Sequence, residues 1–133
     1  PFSHLVTHSD GGSGIRLEQW YYNNQVGITD YGTMDYFFEY ELPAGIWKHL
    51  AVINNGQQMK LYINGNFEGN IDASVDCPTD LIGLDNELGA INSKLDNLRF
   101  WNTALSPTII ETFQDSLSLN NHPNLNKLFD HLR

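Results

Sequence analysis

Three carboxylates, Asp35, Glu39 and Glu41, punctuate a short aromatic stretch at residues 35–42, DYFFEYEL. In an extended strand alternate side chains share a face, so all three would point the same way. Two carboxylates about 5 Å apart can perform retaining glycoside hydrolysis, one as nucleophile and the other as acid and base. The plainer reading of the same residues is a solvated acidic face. A second group, Trp20, Tyr21, Tyr22 and Tyr31, lies among Asn23, Asn24, Gln25 and Asp30. Rings beside amides and carboxylates suit sugars, whose apolar faces stack on rings while their hydroxyls bond polar side chains. Trp20, Tyr22, Asn24 and Tyr31 are therefore the ligand-binding candidates. The alternative is that these rings pack a second layer of the fold.

Other chemistries find little support. No G-x-S-x-G elbow and no H-E-x-x-H pair occurs. His4 and His8 would share a strand face but stand roughly 13 Å apart along it, too far for one zinc ion. Gly11, Gly12 and Gly14 imitate a phosphate loop, yet no lysine follows and no helix begins there. Cys77 is the single cysteine, which excludes an intrachain disulfide and a cysteine-based zinc site. Sixteen acidic residues against seven basic ones give a net charge of −9. That balance argues against nucleic acid and anionic membranes, which need a basic surface. It suits cations or neutral polar ligands. No run of apolar residues is long enough to span a membrane.

The elements that must position these residues are mostly strands. Residues 4–8 form a short β-type run, and 9–14 are rich in turn formers. Residues 15–22 alternate strictly, with Ile15 and Leu17 on one face and Arg16, Trp20 and Tyr22 on the other. Asn23-Asn24 turns the chain into a returning strand at 25–29. The aromatic strand at 35–42 follows. Residues 47–65, WKHLAVINNGQQMKLYING, read as two strands around Asn54-Asn55-Gly56, with Asn64-Gly65 as a second turn. A strand at 66–72 carries a bulge candidate at Gly69. Short apolar strands follow at 80–84 and 94–101. Ser106 is a good N-cap and Pro107 a good first helical residue, so a helix runs over 107–115 with Ile109, Ile110 and Phe113 on its apolar face. Residues 124–133 fit either a helix or a closing strand. Many short strands separated by turn signals predict an antiparallel sandwich. The length is that of one domain, 1–133. The opening Pro1-Phe2-Ser3-His4-Leu5, with no Met and no signal peptide, reads as an excised piece of a longer polypeptide.

Three blocks resemble the laminin G-like branch of the concanavalin A-like jelly rolls. They are Trp47-Lys48-His49-Leu50-Ala51, then Leu61-Tyr62-Ile63-Asn64-Gly65, then Ile82-Gly83 followed by residues 95–106, LDNLRFWNTALS. The resemblance implies an all-β, antiparallel two-sheet jelly-roll sandwich with one short helix near the C-terminus. Complete family members carry two earlier strands that nothing here matches. The expectation is a jelly roll lacking its first strands, with exposed edges and an apolar strip. A missing segment, a partner copy or a neighbouring domain would cover it.

In this frame Trp47 and Trp101 are expected core anchors and His49 a hydrogen-bonded sheet residue. Asp96 and Arg99 are expected to form a polar pair or tie down a neighbouring loop. The E-x-D-x-x-E triplet of laminarinase-type enzymes on this fold is absent, which leaves Asp35, Glu39 and Glu41 as its nearest imitation. Calcium is the cofactor the resemblance implies, at the rim, with Asp10 and Asp85 as ligands and Asp80 as the alternative to Asp85. The function implied is a non-catalytic binding module of a secreted or cell-surface protein that recognises a glycan or an extracellular protein. A divergent hydrolase or lyase and a ligand-free adhesive spacer are the competing readings. Neither nucleic acid nor membrane insertion is expected.

Overall fold

A computed structural model describes residues 3–9, 13–18, 24–76, 80–83, 93–116 and 118–132. Ten strands and one short α-helix form its regular structure. The first sheet holds β1 (Ser3–Thr7), β2 (Gly14–Glu18), β3 (Gln25–Asp30), β4 (Met34–Glu41) and the short β8 (Leu81–Ile82). Their order is β4-β3-β2-β1-β8. The second layer holds β5 (Leu50–Asn54), β6 (Met59–Ile63) and β7 (Asn66–Ile71), in the order β5-β6-β7. A separate two-stranded sheet pairs β9 (Leu98–Trp101) with β10 (Leu128–Leu132). All the pairings are antiparallel. The domain is thus the all-β antiparallel sandwich the sequence predicts.

Alternation decides what each strand buries. Val26 and Ile28 of β3 and Phe38 of β4 turn inward and meet Met59, Leu61 and Ile63 of β6, with Ile71 and Val75 closing the cluster. All of these are nearly inaccessible, which is the dominant stabilising term for such a sandwich. A smaller cluster of Leu5, Val6 and Leu17 lies under β1 and β2 and touches Leu50, Leu98 and Phe100. On β2 the predicted faces hold: Ile15 and Leu17 face the core and Arg16 faces away.

The turns follow their residue types. Asn64 and Gly65 both take positive φ, 49° and 79°, as a two-residue hairpin requires. Asn55 Oδ1 accepts from the backbone N–H groups of Gln57 and Gln58, which builds the β5–β6 turn. The register of β6 against β7 slips between Leu61 and Tyr62, so Glu68 is an extra residue and the bulge lies beside Gly69 as predicted. A Cβ at Gly69 would stand 2.5 Å from the Phe38 carbonyl oxygen, because there β7 presses against β4 and closes one side of the sandwich.

The helix α1 (Pro107–Phe113) begins at Ser106, whose side chain accepts from the Ile109 N–H at 3.4 Å. It is two residues shorter than expected. Residues 125–127 form one 3-10 turn and 128–132 a strand, so the C-terminal segment is a closing strand with a short helical lead-in. Two expectations are overturned. His49 lies just outside β5 and its buried side-chain Nδ1 makes no hydrogen bond among the described residues, although its backbone bonds Asn64. Trp47 is 66% exposed and so is no core anchor, because β5 starts only at Leu50 and residues 46 and 47 lie outside the packed layers. Trp101 is half-buried and stacks on His122 with ring centroids 4.4 Å apart.

Candidate functional site

The register of the five-stranded sheet assembles one polar face. His4, Arg16, Gly27 and Phe37 lie directly opposite one another across β1 to β4. Thr7, Gly14, Thr29 and Asp35 form the adjacent row. The other face, with Val6, Ile15, Ile28 and Tyr36, is the one packed on the core. The two rows therefore point away from the sandwich interior. His4, Thr7, Arg16 and Thr29 are nonetheless buried, Arg16 to 4% exposure.

The row is tied together. The Thr29 hydroxyl donates to Asp35 Oδ1 at 2.6 Å. The Thr7 hydroxyl donates to the Gly83 carbonyl, which fixes β8 beside β1. Burial pulls the Arg16 guanidinium below its usual pKa, and the negative charge of Asp35 pulls it back. Only a hydrogen atom stands at Gly27, in the row between Arg16 and Phe37. Asp35 is thus held by a threonine hydroxyl and a buried cation nearby, a rigid setting for a carboxylate acceptor.

The accessible side of this face is β4. Phe37 is 38% exposed and Asp35 half-buried. Beyond them the ladder slips: Gly27 opposes Phe37 while Gln25 opposes Glu41, so two extra residues sit on β4. Glu39, inside this bulge, has a φ of 56°. Because the insertion is of two residues, parity is kept and Glu41 shares the face of Phe37. Asp35, Glu39 and Glu41 are thus arrayed along one strand, as the sequence suggested. Asp35 and Glu41, six positions apart, are separated by far more than the roughly 5 Å of a retaining pair.

Tyr31 lies at the β3–β4 turn, 61% exposed, with its backbone N–H donating to Ser13 Oγ at 3.0 Å. Asn24 lies exposed just before β3. The whole of β3 runs between them, roughly 20 Å, so these two candidates cannot serve one sugar residue. Trp20 and Tyr22 lie outside the described residues, as do Asp10 and Asp85. Asp80 is described and exposed. Its two carboxylate oxygens accept from the Ser9 N–H at 2.8 Å and the Ser9 hydroxyl at 2.6 Å. The Ser9 hydroxyl bond is the main reason its pKa lies below the ordinary carboxylate value. Among the described residues no group of three or more His, Cys, Asp or Glu is placed to hold a metal ion. Sequence reasoning did not single out Phe37, Arg16 or Thr29. The available signal was alternation: Phe37 has the parity of Asp35, and β4 is half-polar on that side.

A family model described as the Concanavalin A-like lectin/glucanases superfamily, of the laminin G type, matches residues 2–111. Among solved structures the chain is similar to an S-layer domain-containing protein (residues 221–444) from Clostridium thermocellum ATCC 27405. The two are 22% identical with a TM-score of 0.48 over 86% of this chain, which spans 63% of the length of that structure. No curated protein matches the chain. No helix among the described residues is long and apolar enough to cross a membrane. With the family match covering all the strands from β1 to β9, the chain belongs to the concanavalin A-like lectin/glucanase superfamily.

Proposed function

We propose that this domain is a non-catalytic binding module of a secreted or cell-surface protein and that it takes a glycan on the β4 side of its five-stranded sheet. The observation that carries the reading is Phe37, an aromatic ring 38% exposed on the face that β4 turns away from the core, in line with Asp35 and Glu41. A ring flanked by carboxylates offers a stacking surface and hydroxyl acceptors together. Asp35 is already oriented by Thr29, so little ordering is needed on binding. Tyr31 at the adjacent turn extends the contact surface. A glycan panel followed by calorimetry tests this. Phe37→Ala should weaken the glycan that binds by about tenfold with an unchanged melting curve. Equal affinity in the variant would sink the reading.

A calcium ion at the rim, with Asp10 and Asp85 as carboxylate ligands, is part of the same proposal. It should raise the melting temperature of the parent domain and not of the Asp10→Ala variant, since a ligand of the folded state alone must stabilise it. A hydrolase or lyase is the second reading, favoured by Glu39 and Glu41, both exposed on one strand. Turnover of a polysaccharide panel that Glu39→Gln or Glu41→Gln abolishes would replace binding by catalysis. A blank glycan panel would favour an adhesive spacer.

A further inference from the structure

The sequence holds two Asn-Gly pairs, Asn55-Gly56 at the β5–β6 turn and Asn64-Gly65 at the β6–β7 turn. The side-chain amide of an asparagine can be attacked by the backbone nitrogen of the next residue, which closes a five-membered ring. Glycine leaves that nitrogen open, because no side chain stands in the way. At Asn66-Phe67, Asn70-Ile71 and Asn97-Leu98 a bulky side chain screens it. The two Asn-Gly pairs share a sequence but not a setting.

Asn55, Gly56 and Gln57 are exposed, and a Cβ at Gly56 would meet nothing within 4 Å. Asn55 Oδ1 already accepts from the N–H groups of Gln57 and Gln58, both at 3.0 Å. Attack on Asn55 Cγ puts negative charge on this oxygen, so the two donors form a ready oxyanion site. The Gly56 N–H donates to Asn54 Oδ1 at 2.9 Å, an exposed bond that a small opening of the turn releases. Asn64 is locked instead. Its Oδ1 accepts from the His49 N–H and its own N–H donates to the His49 carbonyl, both at 2.9 Å. Gly65 has helix α1 at its back, with Glu111 Cα 3.1 Å from where a Cβ would stand. Turning the Asn64 amide onto the Gly65 nitrogen would break the His49 bond, with no free space around Gly65 to absorb the movement.

We infer that Asn55 is a modification site, a spontaneous deamidation that the β5–β6 turn promotes and that the β6–β7 turn suppresses at Asn64. Hydroxide takes the Gly56 amide proton. The nitrogen bonds to Asn55 Cγ, the Cγ–Nδ2 bond breaks, and Nδ2 leaves as ammonia with a proton from water, which restores the hydroxide. Water then opens the ring. Cleavage at Cγ leaves aspartate and the original main chain. Cleavage at the backbone carbonyl leaves isoaspartate, whose main chain runs through Cβ and Cγ. Water enters, ammonia departs, and one negative charge joins a chain already at −9. An aspartate still accepts from Gln57 and Gln58. An isoaspartate adds a backbone methylene where the Asn55 N–H bonds the Gln58 carbonyl and where Asn54 ties the turn to Ser74 and the buried Val75.

The test holds the folded domain in warm, mildly alkaline buffer and follows it by peptide mapping, with fragmentation that tells aspartate from isoaspartate. Expected is acid at position 55, formed faster as pH rises and at least about tenfold faster than at position 64. In the urea-unfolded chain the two positions should react at similar rates, because the difference between the turns is gone. Asn55→Gln should stay intact at position 55, since its longer side chain must close a larger ring. Asn55→Asp should melt with the parent, and the isolated isoaspartyl form should melt lower. The inference is overturned by equal rates at the two positions in the folded domain, or by faster reaction at Asn64. It is equally overturned if Asn55 stays unreacted in the folded domain while the unfolded chain converts.

Discussion

Arg99 Nη1 donates to the Phe113 carbonyl at 2.9 Å, so strand β9 holds the last residue of helix α1. Nη2 reaches the Ser116 carbonyl, and Nε donates to Asn97 Oδ1 at 3.0 Å. A helix ends with carbonyls that lack intrahelical partners and carry partial negative charge, and a guanidinium satisfies both conditions. The resemblance implied that Arg99 either pairs with Asp96 or ties down a neighbouring segment, and it does the second. Arg99→Ala should cost about 1.5–3 kcal/mol, the range for hydrogen bonds to a charged group. Arg99→Lys should recover little of it, because an ammonium cannot span both carbonyls and Asn97 in one plane. Urea unfolding of the three proteins measures this. Full recovery by lysine would show that charge alone matters.

The same corner sets the pH dependence of stability. His122 is 5% exposed, packed between Trp101 and Phe113, and its Nδ1 accepts from the Asn124 N–H at 3.0 Å. Burial, reinforced by Arg99, lowers its pKa. His49 is lowered by burial first and Arg99 second, against a smaller opposing pull from Asp115. For both residues the unfolded chain therefore binds more protons below about pH 6.5, the ordinary histidine value, so stability rises with pH there. It should be flat on this account above about pH 7 and fall progressively as pH drops toward the lowered folded values. Thermal melts from acid to neutral pH test this. His122→Gln and His49→Gln should each flatten the slope in that window, and an unchanged slope in the double variant would refute the assignment.

Most of the strand positions along the chain and the turn chemistry could be read from residue types alone, whereas the order of the strands in the sheets could not. Asn64-Gly65, the Ser106-Pro107 cap and the alternation of Ile15, Arg16 and Leu17 are local signals whose structural result is local too. Trp47 shows where this fails. A sequence motif identifies the residue, but its exposure depends on which strands are next to it in space, and Trp47 is 66% exposed. The site was less legible for a similar reason. Tyr31 and Asn24 are near in sequence yet sit at opposite ends of β3, whereas Arg16 and Asp35 come close only because β3 places Gly27 and Thr29 between them.

The exposure of Trp47 carries its own prediction. A surface substitution away from caps, networks and core leaves stability within about 0.5 kcal/mol. Trp47→Ser should do that in this 133-residue chain, whereas Trp101→Ala should cost several times more because it also strands His122. Tryptophan fluorescence gives an independent reading: Trp47 should be readily quenched by iodide. A loss above roughly 2 kcal/mol in Trp47→Ser would mean that the ring is packed in a layer and that the start of β5 is misplaced.

Gly69 is needed for space rather than for backbone freedom. Its φ is not left-handed, but a Cβ there would sit 2.5 Å from the Phe38 carbonyl oxygen and 3.4 Å from its carbon. Both are backbone atoms of β4, which cannot swing aside as a flexible side chain would. The Phe38 side chain, 1% exposed, anchors that backbone in the centre of the larger core cluster. Relieving the clash must move β7 off β4 and loosen contacts among Phe38, Leu61 and Ile71. Overpacking of this kind costs about 1–3 kcal/mol. Gly69→Ala should therefore lower stability by that amount, and Gly69→Val by more. Because the strain is steric, a Phe38→Leu change in the same chain should not add independently to it, since both act on one β4–β7 contact. Additive losses in a double-mutant cycle would show that the two strands are not in contact at this point.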